Sequence, residues 1–461
     1  MTEGPARSGA FAYRVATPVP LTPAQTAQPV QSSPSSLAAR APRRHSGASM
    51  AKFAPDRFPP GFFDLPRDAG ETLPVAVIEQ WTHGDQTREA ARALLAPHTL
   101  LGTVVSSDSA GLTRLTRELP LVTILAMVNR PKEFIHAYGR AVGGRAIGVW
   151  AADNTQMFYP AEVPAERVLG MLLAALDHVA RECEVGIGLC AHSGEYFELG
   201  GGVYGPDADR VEVVAEEHTE GGELVVTDTL AGRLPAGHSF ALTRRRELEA
   251  EFGEILRVTG GPRLEGLALT DFKYPVPYSA DFYDGLGAFT RTGRQAVMPS
   301  PAYEDLAVVL IEREREELDV PEVAALNDLA LAAAMKRIGG ELLRGRDGTE
   351  IKTAGLISLF TFEDCRVALD FARAFRRTLA GQRIQCRIGV DAGPVLVFEL
   401  GPGSRDIAGS AVNIASKLAQ DCGVFGRIYV SDAAGRRAGL GEAEPTLRFK
   451  LSGVELAAYD V

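Results

Sequence analysis

The chain of 461 residues carries 59 acidic against 48 basic side chains, a net charge of −11, with 46% hydrophobic and 23% charged residues. This is an ordinary globular composition, and its acidic balance argues against non-specific nucleic-acid binding, which needs a basic footprint. An acidic chain that takes an anionic ligand has to do so with local lysines, backbone amides or metal ions.

The length gives room for two or three domains, each large enough for its own core. The five cysteines (183, 190, 365, 386 and 422) include no CxxC pair and read as buried, reduced thiols of a cytosolic protein. The longest apolar runs, such as LVTILAMV at 121–128, fall far short of a membrane span, and the first residues carry no signal-peptide h-region. The expectation is a cytoplasmic protein with neither a nucleic-acid nor a membrane partner.

In chain order, residues 1–55 are rich in Pro, Ala, Ser, Thr and Arg and lack periodic apolar positions. Such a tract cannot bury enough surface to offset its ordering entropy, so it reads as a disordered tail. A helical lead-in over 56–96 ends in DQTREAARALLA. From about residue 97 the pattern is strand, helix, helix, strand, strand. VVSSDSAGLTRLT (104–116) is an apolar strand that ends at Asp108 before a glycine-containing turn. GGRAIGVWAADNTQMFY (143–159) reads as two strands around a turn carrying Asp153. Two acids at strand–turn junctions can flank one hard cation or a pair, since Mg²⁺ is held by one or two carboxylates plus phosphate oxygens. Turn-forming aspartates are equally at home in purely structural roles.

Further along, the chain repeats itself. The stretch 184–234 shares with 384–440 an FELG string, a following glycine, a helix, and ELVVTD or RIYVSD. Gly205 matches Gly409 and Asp228 matches Asp432 at one constant spacing. One module therefore occurs twice, over about 97–245 and 301–461, joined by a connector at 246–300 that holds RRRELEAEFGE. Within the second copy, RDIAGSAVNIASK (405–417) places Asp406 in a loop ahead of a helix that carries Asn413 and Lys417 one turn apart on one face. A loop acid and two polar residues on one helix face can hold a ligand; Asx turns and solvated helix edges use the same residue types.

The two copies divide their polar groups. Copy two has Glu312 and Leu356 where copy one has Asp108 and Asp153. It has Lys352, Asp406, Asn413 and Lys417 where copy one has Val149, Gly202, Asp209 and Val213. The acids stand in one copy, and the lysines, Asp406 and Asn413 in the other.

DSAGLT, IKTAG, IGVDAGPVL and DIAGSAVNIASK resemble the motifs of class III nucleotidyl cyclases, the adenylyl and guanylyl cyclases, over both repeats and roughly two-thirds of the chain. The resemblance implies an α+β fold of two ferredoxin-like class III cyclase domains, antiparallel-rich sheets with helices. The domains would pair within the chain as a tandem pseudo-heterodimer with one productive and one degenerate site. It implies an adenylate cyclase that converts ATP to 3′,5′-cyclic AMP and pyrophosphate. By motif, Asp108 and Asp153 would hold two Mg²⁺ or Mn²⁺ ions. The main chain of Ser109, Ala110, Gly111, Leu112 and Thr113 would cradle the triphosphate. Lys352 and Asp406 would read the base, Asn413 would orient the ribose, and Lys417 would face the α-phosphate where the family usually has Arg. Ala152 replaces a usual glycine and Ser109 a usual apolar residue. A cyclase-like module that binds a nucleotide without converting it, and a cyclase for another nucleoside triphosphate, are the competing readings.

Overall fold

The computed structural model describes residues 73–461 apart from 111–114, 116–118, 148–153, 200–201, 275–279, 293–301, 317, 319, 402–403, 441–444 and 452–453. The expected tail at 1–55, part of the lead-in, and the site candidates Gly111, Leu112, Thr113 and Asp153 thus lie outside the described residues. Two helices lead in, α1 (Val75–His83) and α2 (Arg88–Leu95). The second is capped by Thr87, whose hydroxyl accepts the Ala90 N–H and so satisfies one of the amides left open at a helix start.

The first half follows as β1 (Thr99–Ser109), α3 (Leu121–Ala141), β2 (Arg145–Ala146), β3 (Thr155–Pro160), α4 (Ala165–Glu182), β4 (Ile187–Leu199), β5 (Gly202–Tyr204), α5 (Pro206–His218), β6 (Leu224–Thr227), α6 (Asp228–Ala231), β7 (Ala241–Arg244), α7 (Glu249–Phe252) and β8 (Ile255–Gly260). Helix α8 (Ala280–Thr292) precedes the second half. That half runs β9 (Ala302–Arg313), α9 (Pro321–Leu343), β10 (Gly348–Ala354), β11 (Ile357–Phe362), α10 (Cys365–Gly381), β12 (Cys386–Gly401), β13 (Ser404–Ala408), α11 (Ser410–Gln420), β14 (Ile428–Ser431), α12 (Asp432–Arg437), β15 (Leu447–Leu451) and β16 (Val454–Asp460).

The two sheets have the orders β2-β3-β1-β4-β6-β8-β7 and β10-β11-β9-β12-β14-β16-β15, with β5 on β4 and β13 on β12. They match strand for strand. In each, the first strand is antiparallel to both neighbours, and the β-α-β-β-α-β core is the ferredoxin-like unit. The expected fold class, two ferredoxin-like α+β domains, is what the chain adopts. Alternation along the strands feeds two cores per half. Val105, Met157 and Leu189 pack with Leu125, Leu169 and Leu172 under α3 and α4. Val104, Phe158 and Cys190 pack with Ala208, Val211 and Ala215 under α5.

Four details differ from the sequence reading. The opening of each module is strand, helix, two strands, helix, strand. The first sheet runs on past 245 to Gly260, because RRRELEAEF folds as short helical turns between β7 and β8 and the apolar ILRVTG pairs with β6. Asp406 lies in strand β13, not in a loop. The two FELG strings are not equivalent: Tyr204 and Ala408 each precede the matching glycine and pair with Phe197 and Leu396, so Phe398 stands two positions out of step.

Both halves belong to one compact unit, and their lead-in helices pack crosswise. Trp81 of α1 is buried and donates its indole N–H to Asn327 Oδ1 of α9 at 2.9 Å. Trp81, Ile78 and Leu95 share a core with Leu326 and Leu329 of α9 and with Phe197 and Leu199 at the end of β4. Conversely, Phe282 and Leu286 of α8 share a core with Val122 and Leu125 of α3 and with Leu396 and Phe398 of β12. The Phe282 and Phe398 rings stack at 5.2 Å. Each half's lead-in helix thus rests on the other half. Among the described residues, no helix is long and apolar enough to cross a membrane.

Candidate functional site

The second half brings two of the predicted residues together. Lys352 Nζ of β10 lies 3.7 Å from Asp406 Oδ1 of β13. Asp406 is buried and its Oδ1 also accepts the Ile407 N–H at 2.9 Å, which fixes the carboxylate. The face on which Lys352 stands is set by a β-bulge. Glu350 pairs with Phe360, whereas Lys352 pairs with Leu359. Phe360 belongs to the core under α9 and α10, and Leu359 to the core under α11. The extra residue therefore turns Lys352 to the α11 side.

Helix α11 starts at Gly409, whose φ of 153° is a conformation that suits glycine. It packs on the sheet through Ala411, Ala415, Leu418 and Ala419. Close approach is possible because Gly389 has no side chain: a Cβ there would fall 2.0 Å from the Ala415 carbonyl oxygen. Asn413 and Lys417 share the opposite face, and Lys417 Nζ is held 3.3 Å from Asp421 Oδ2.

In the first half, Asp108 stands near the end of β1, half-buried and opposite Gly188. Its neighbour Ser107 bonds Thr155 at 2.5 Å through the two hydroxyls and at 3.1 Å through the Thr155 N–H. This ties β1 to the strand that follows Asp153 in the chain. Ser109 is buried and still pairs with Ile187. The Ala110 N–H donates to Gly186 O at 2.9 Å, so this amide already has a partner. Among the described residues no group of three His, Cys, Asp or Glu side chains gathers as a metal cage. A hard carboxylate such as Asp108 fits Mg²⁺ or Mn²⁺ when substrate oxygens complete the shell. It does not fit a metal that requires nitrogen or sulfur ligands.

The repeat makes a second junction, and side chains fill it. Arg315 follows β9 at the place that Gly111 occupies after β1. Its Nη1 meets Asp209 Oδ2 of α5 at 2.6 Å, and its Nε lies 3.8 Å from Asp328 Oδ2 of α9. The fully buried Arg313 donates to Asp328 Oδ1 at 2.5 Å. Glu312, which stands where copy one has Asp108, is gripped by Arg387 at 2.9 and 3.0 Å. Burial, and next the nearby Asp209 carboxylate, push Glu212 of α5 up to about 7. The acids here have guanidinium partners. Arg313, Arg315, Asp328 and Arg387 were not singled out from the sequence. The available signal was IEREREE at 311–317, charged where copy one has the small residues of SDSAGLT.

The Asp209–Arg315 bond shows directly what position 209 faces: the segment after the first strand of the other half. Asn413 holds the same position on α11, and the corresponding segment of the first half begins at Ala110.

No protein-family model matches the chain, and no curated protein matches it. Solved structures do. A class III adenylyl cyclase-like ATP-binding protein from Pseudomonas aeruginosa aligns over 74% of this chain and 85% of its own, at 12% identity and a TM-score of 0.47. The adenylyl cyclase CyaB from P. aeruginosa aligns over 35% of this chain and 95% of its own, at 19% identity and a TM-score of 0.30. An adenylate/guanylate cyclase/hydrolase from Silicibacter pomeroyi aligns over 34% and 96%, at 20% identity and a TM-score of 0.29.

Proposed function

We propose that the chain is a nucleotidyl cyclase that converts ATP to 3′,5′-cyclic AMP and pyrophosphate at one composite site between its two halves, a tandem pseudo-heterodimer. The observation that carries this reading is the Lys352–Asp406 pair, a donor and an acceptor 3.7 Å apart on the side of the sheet that α11 covers. Adenine presents an acceptor at N1 and a donor at its amino group, which the pair complements. Guanine reverses that pattern and would leave both protein groups unpaired, a far larger cost than a loose fit.

Asp108 and Asp153 would hold the divalent ions, which supply charge neutralisation for the triphosphate when bound. The Ala110 amide is engaged with Gly186 O, so the cradle would draw on amides from Gly111 onward and on the Ser109 region. Asn413 would orient the ribose so that its 3′-oxygen lies in line with the α-phosphorus. The 3′-hydroxyl gives its proton to water, and the O3′–P bond forms as the bond to the bridging oxygen breaks and pyrophosphate leaves. Lys417 would offset charge at the α-phosphate as a point charge, without the planar fork of Arg. No protein nucleophile is required.

The test is product formation from ATP, GTP, CTP and UTP with Mg²⁺ or Mn²⁺. ATP should give cyclic AMP and pyrophosphate. Asp108→Ala and Asn413→Ala should each abolish turnover, although the two residues lie in different halves. Turnover by either half alone would end the composite reading. A second reading, a protein that binds ATP and does not turn it over, draws on the engaged Ala110 amide and on the Lys417–Asp421 pair. Tight ATP binding with no product would select it.

A further inference from the structure

The β10 bulge leaves two pairs of side chains on opposite faces of one strand. On one side stand Ile351, packed in the core under α11, and Lys352, beside Asp406. On the other stand Glu350, opposite Phe360, and Thr353, opposite Ser358. In a regular strand, residues three apart point to opposite faces. Here Thr353 Oγ1 donates to Glu350 Oε1 at 2.9 Å, a bond that can exist only while the extra residue is accommodated between them. Lys336 Nζ of α9 grips the same Oε1 at 3.0 Å, and both side chains are less than a fifth exposed. Thr353 and Ser358 are buried, with their hydroxyls 3.1 Å apart. The bulge is therefore clasped from below by a charged, largely buried group.

We propose that Glu350 is the positioning residue for base recognition: held by Lys336 and Thr353, it locks the bulge that turns Lys352 onto the Asp406 side. Without the bulge, continuing the Glu350↔Phe360 register would set Lys352 opposite Ser358, on the face of the α9–α10 core and away from Asp406. The inference rests on the reading of Lys352 and Asp406 as the adenine-binding pair, and it assigns that pair's geometry to a residue that touches no nucleotide. Charged hydrogen bonds of this kind are directional, which suits a clasp. A bulge with only apolar support could slip by one residue and carry every following side chain to the other face.

The experiment is equilibrium binding of ATP and of GTP to the full chain, with steady-state rates and thermal unfolding of the same samples. Glu350→Ala should weaken ATP binding about tenfold, the worth of one misplaced hydrogen bond, and leave GTP binding where it is. Its KM for ATP should rise with a smaller change in kcat. Thr353→Val removes the hydroxyl at nearly constant shape and should reproduce the loss even if Glu350→Ala folds poorly. Glu350→Gln keeps an oxygen acceptor for Thr353 and should restore most of the affinity. Lys352→Ala separates the two layers of inference. If it loses ATP affinity while Glu350→Ala and Thr353→Val keep the wild-type ATP-to-GTP ratio, Glu350 is structural only and the proposal falls. If Lys352→Ala itself leaves that ratio unchanged, the underlying base reading falls instead.

Discussion

Asp391 of β12 is a carboxyl in the wrong solvent. It is buried, receives the Ser431 hydroxyl, and burial pushes its pKa up to about 6 from an ordinary 3.8. A group whose folded pKa is raised stabilises the fold below its unfolded pKa, and that contribution is lost as the pH rises through the folded value. The window here runs from about pH 4 to about pH 6. Asp391→Asn keeps an oxygen to accept the Ser431 O–H and cannot ionise. Relative to wild type, the variant should gain about 1–3 kcal/mol between pH 4.5 and 7.5, read as the difference between two urea-unfolding series. Parallel series across that range would show that the fold leaves the Asp391 pKa at its unfolded value. His192 holds the matching place in the first half and bonds Thr227 at 2.9 Å as Asp391 bonds Ser431. The sequence does not mark this equivalence, because the shared FELG strings suggest a register two residues away.

At the scale of elements, legibility followed the range of the interaction. The helix carrying Asn413 and Lys417 was readable because its spacing is local, and the repeat because Gly205 and Gly409 both open helices at positive φ. The bulge at Ile351 was not readable, since one additional residue leaves no mark in composition. Nor were the arginine pairs of the second junction, which join residues far apart in the chain. Arg387 and Glu312 show how much such a pair matters to its strands. They meet in two hydrogen bonds at 2.9 and 3.0 Å with side chains only 20% and 12% exposed. Arg387→Ala should cost about 3 kcal/mol by leaving a carboxylate buried and alone, while the double change Glu312→Leu with Arg387→Leu should recover most of it. Urea midpoints of the three chains decide this, and equal losses in the single and double variants would count against the pair.

Across the whole molecule, the crosswise lead-in helices make each half a support for the other. Trp81→Ala removes a buried indole and leaves Asn327 Oδ1 without its donor, a loss of about 3–5 kcal/mol by the usual cost of large-to-small changes in cores. The pocket it vacates belongs largely to α9, so the loss should reach the second half. The readout is amide exchange over α9, which should quicken in the variant. Unchanged exchange there, with loosening confined to α1 and α2, would show that the helices merely dock.

The arginine-filled junction has a consequence for counting. On the proposed reading, the junction that matches the composite site is filled by the chain's own guanidinium groups, which leaves one nucleotide site per chain. Calorimetric titration with ATP should therefore close at about one equivalent per chain, and velocity against concentration should trace a plain hyperbola with a Hill coefficient near 1.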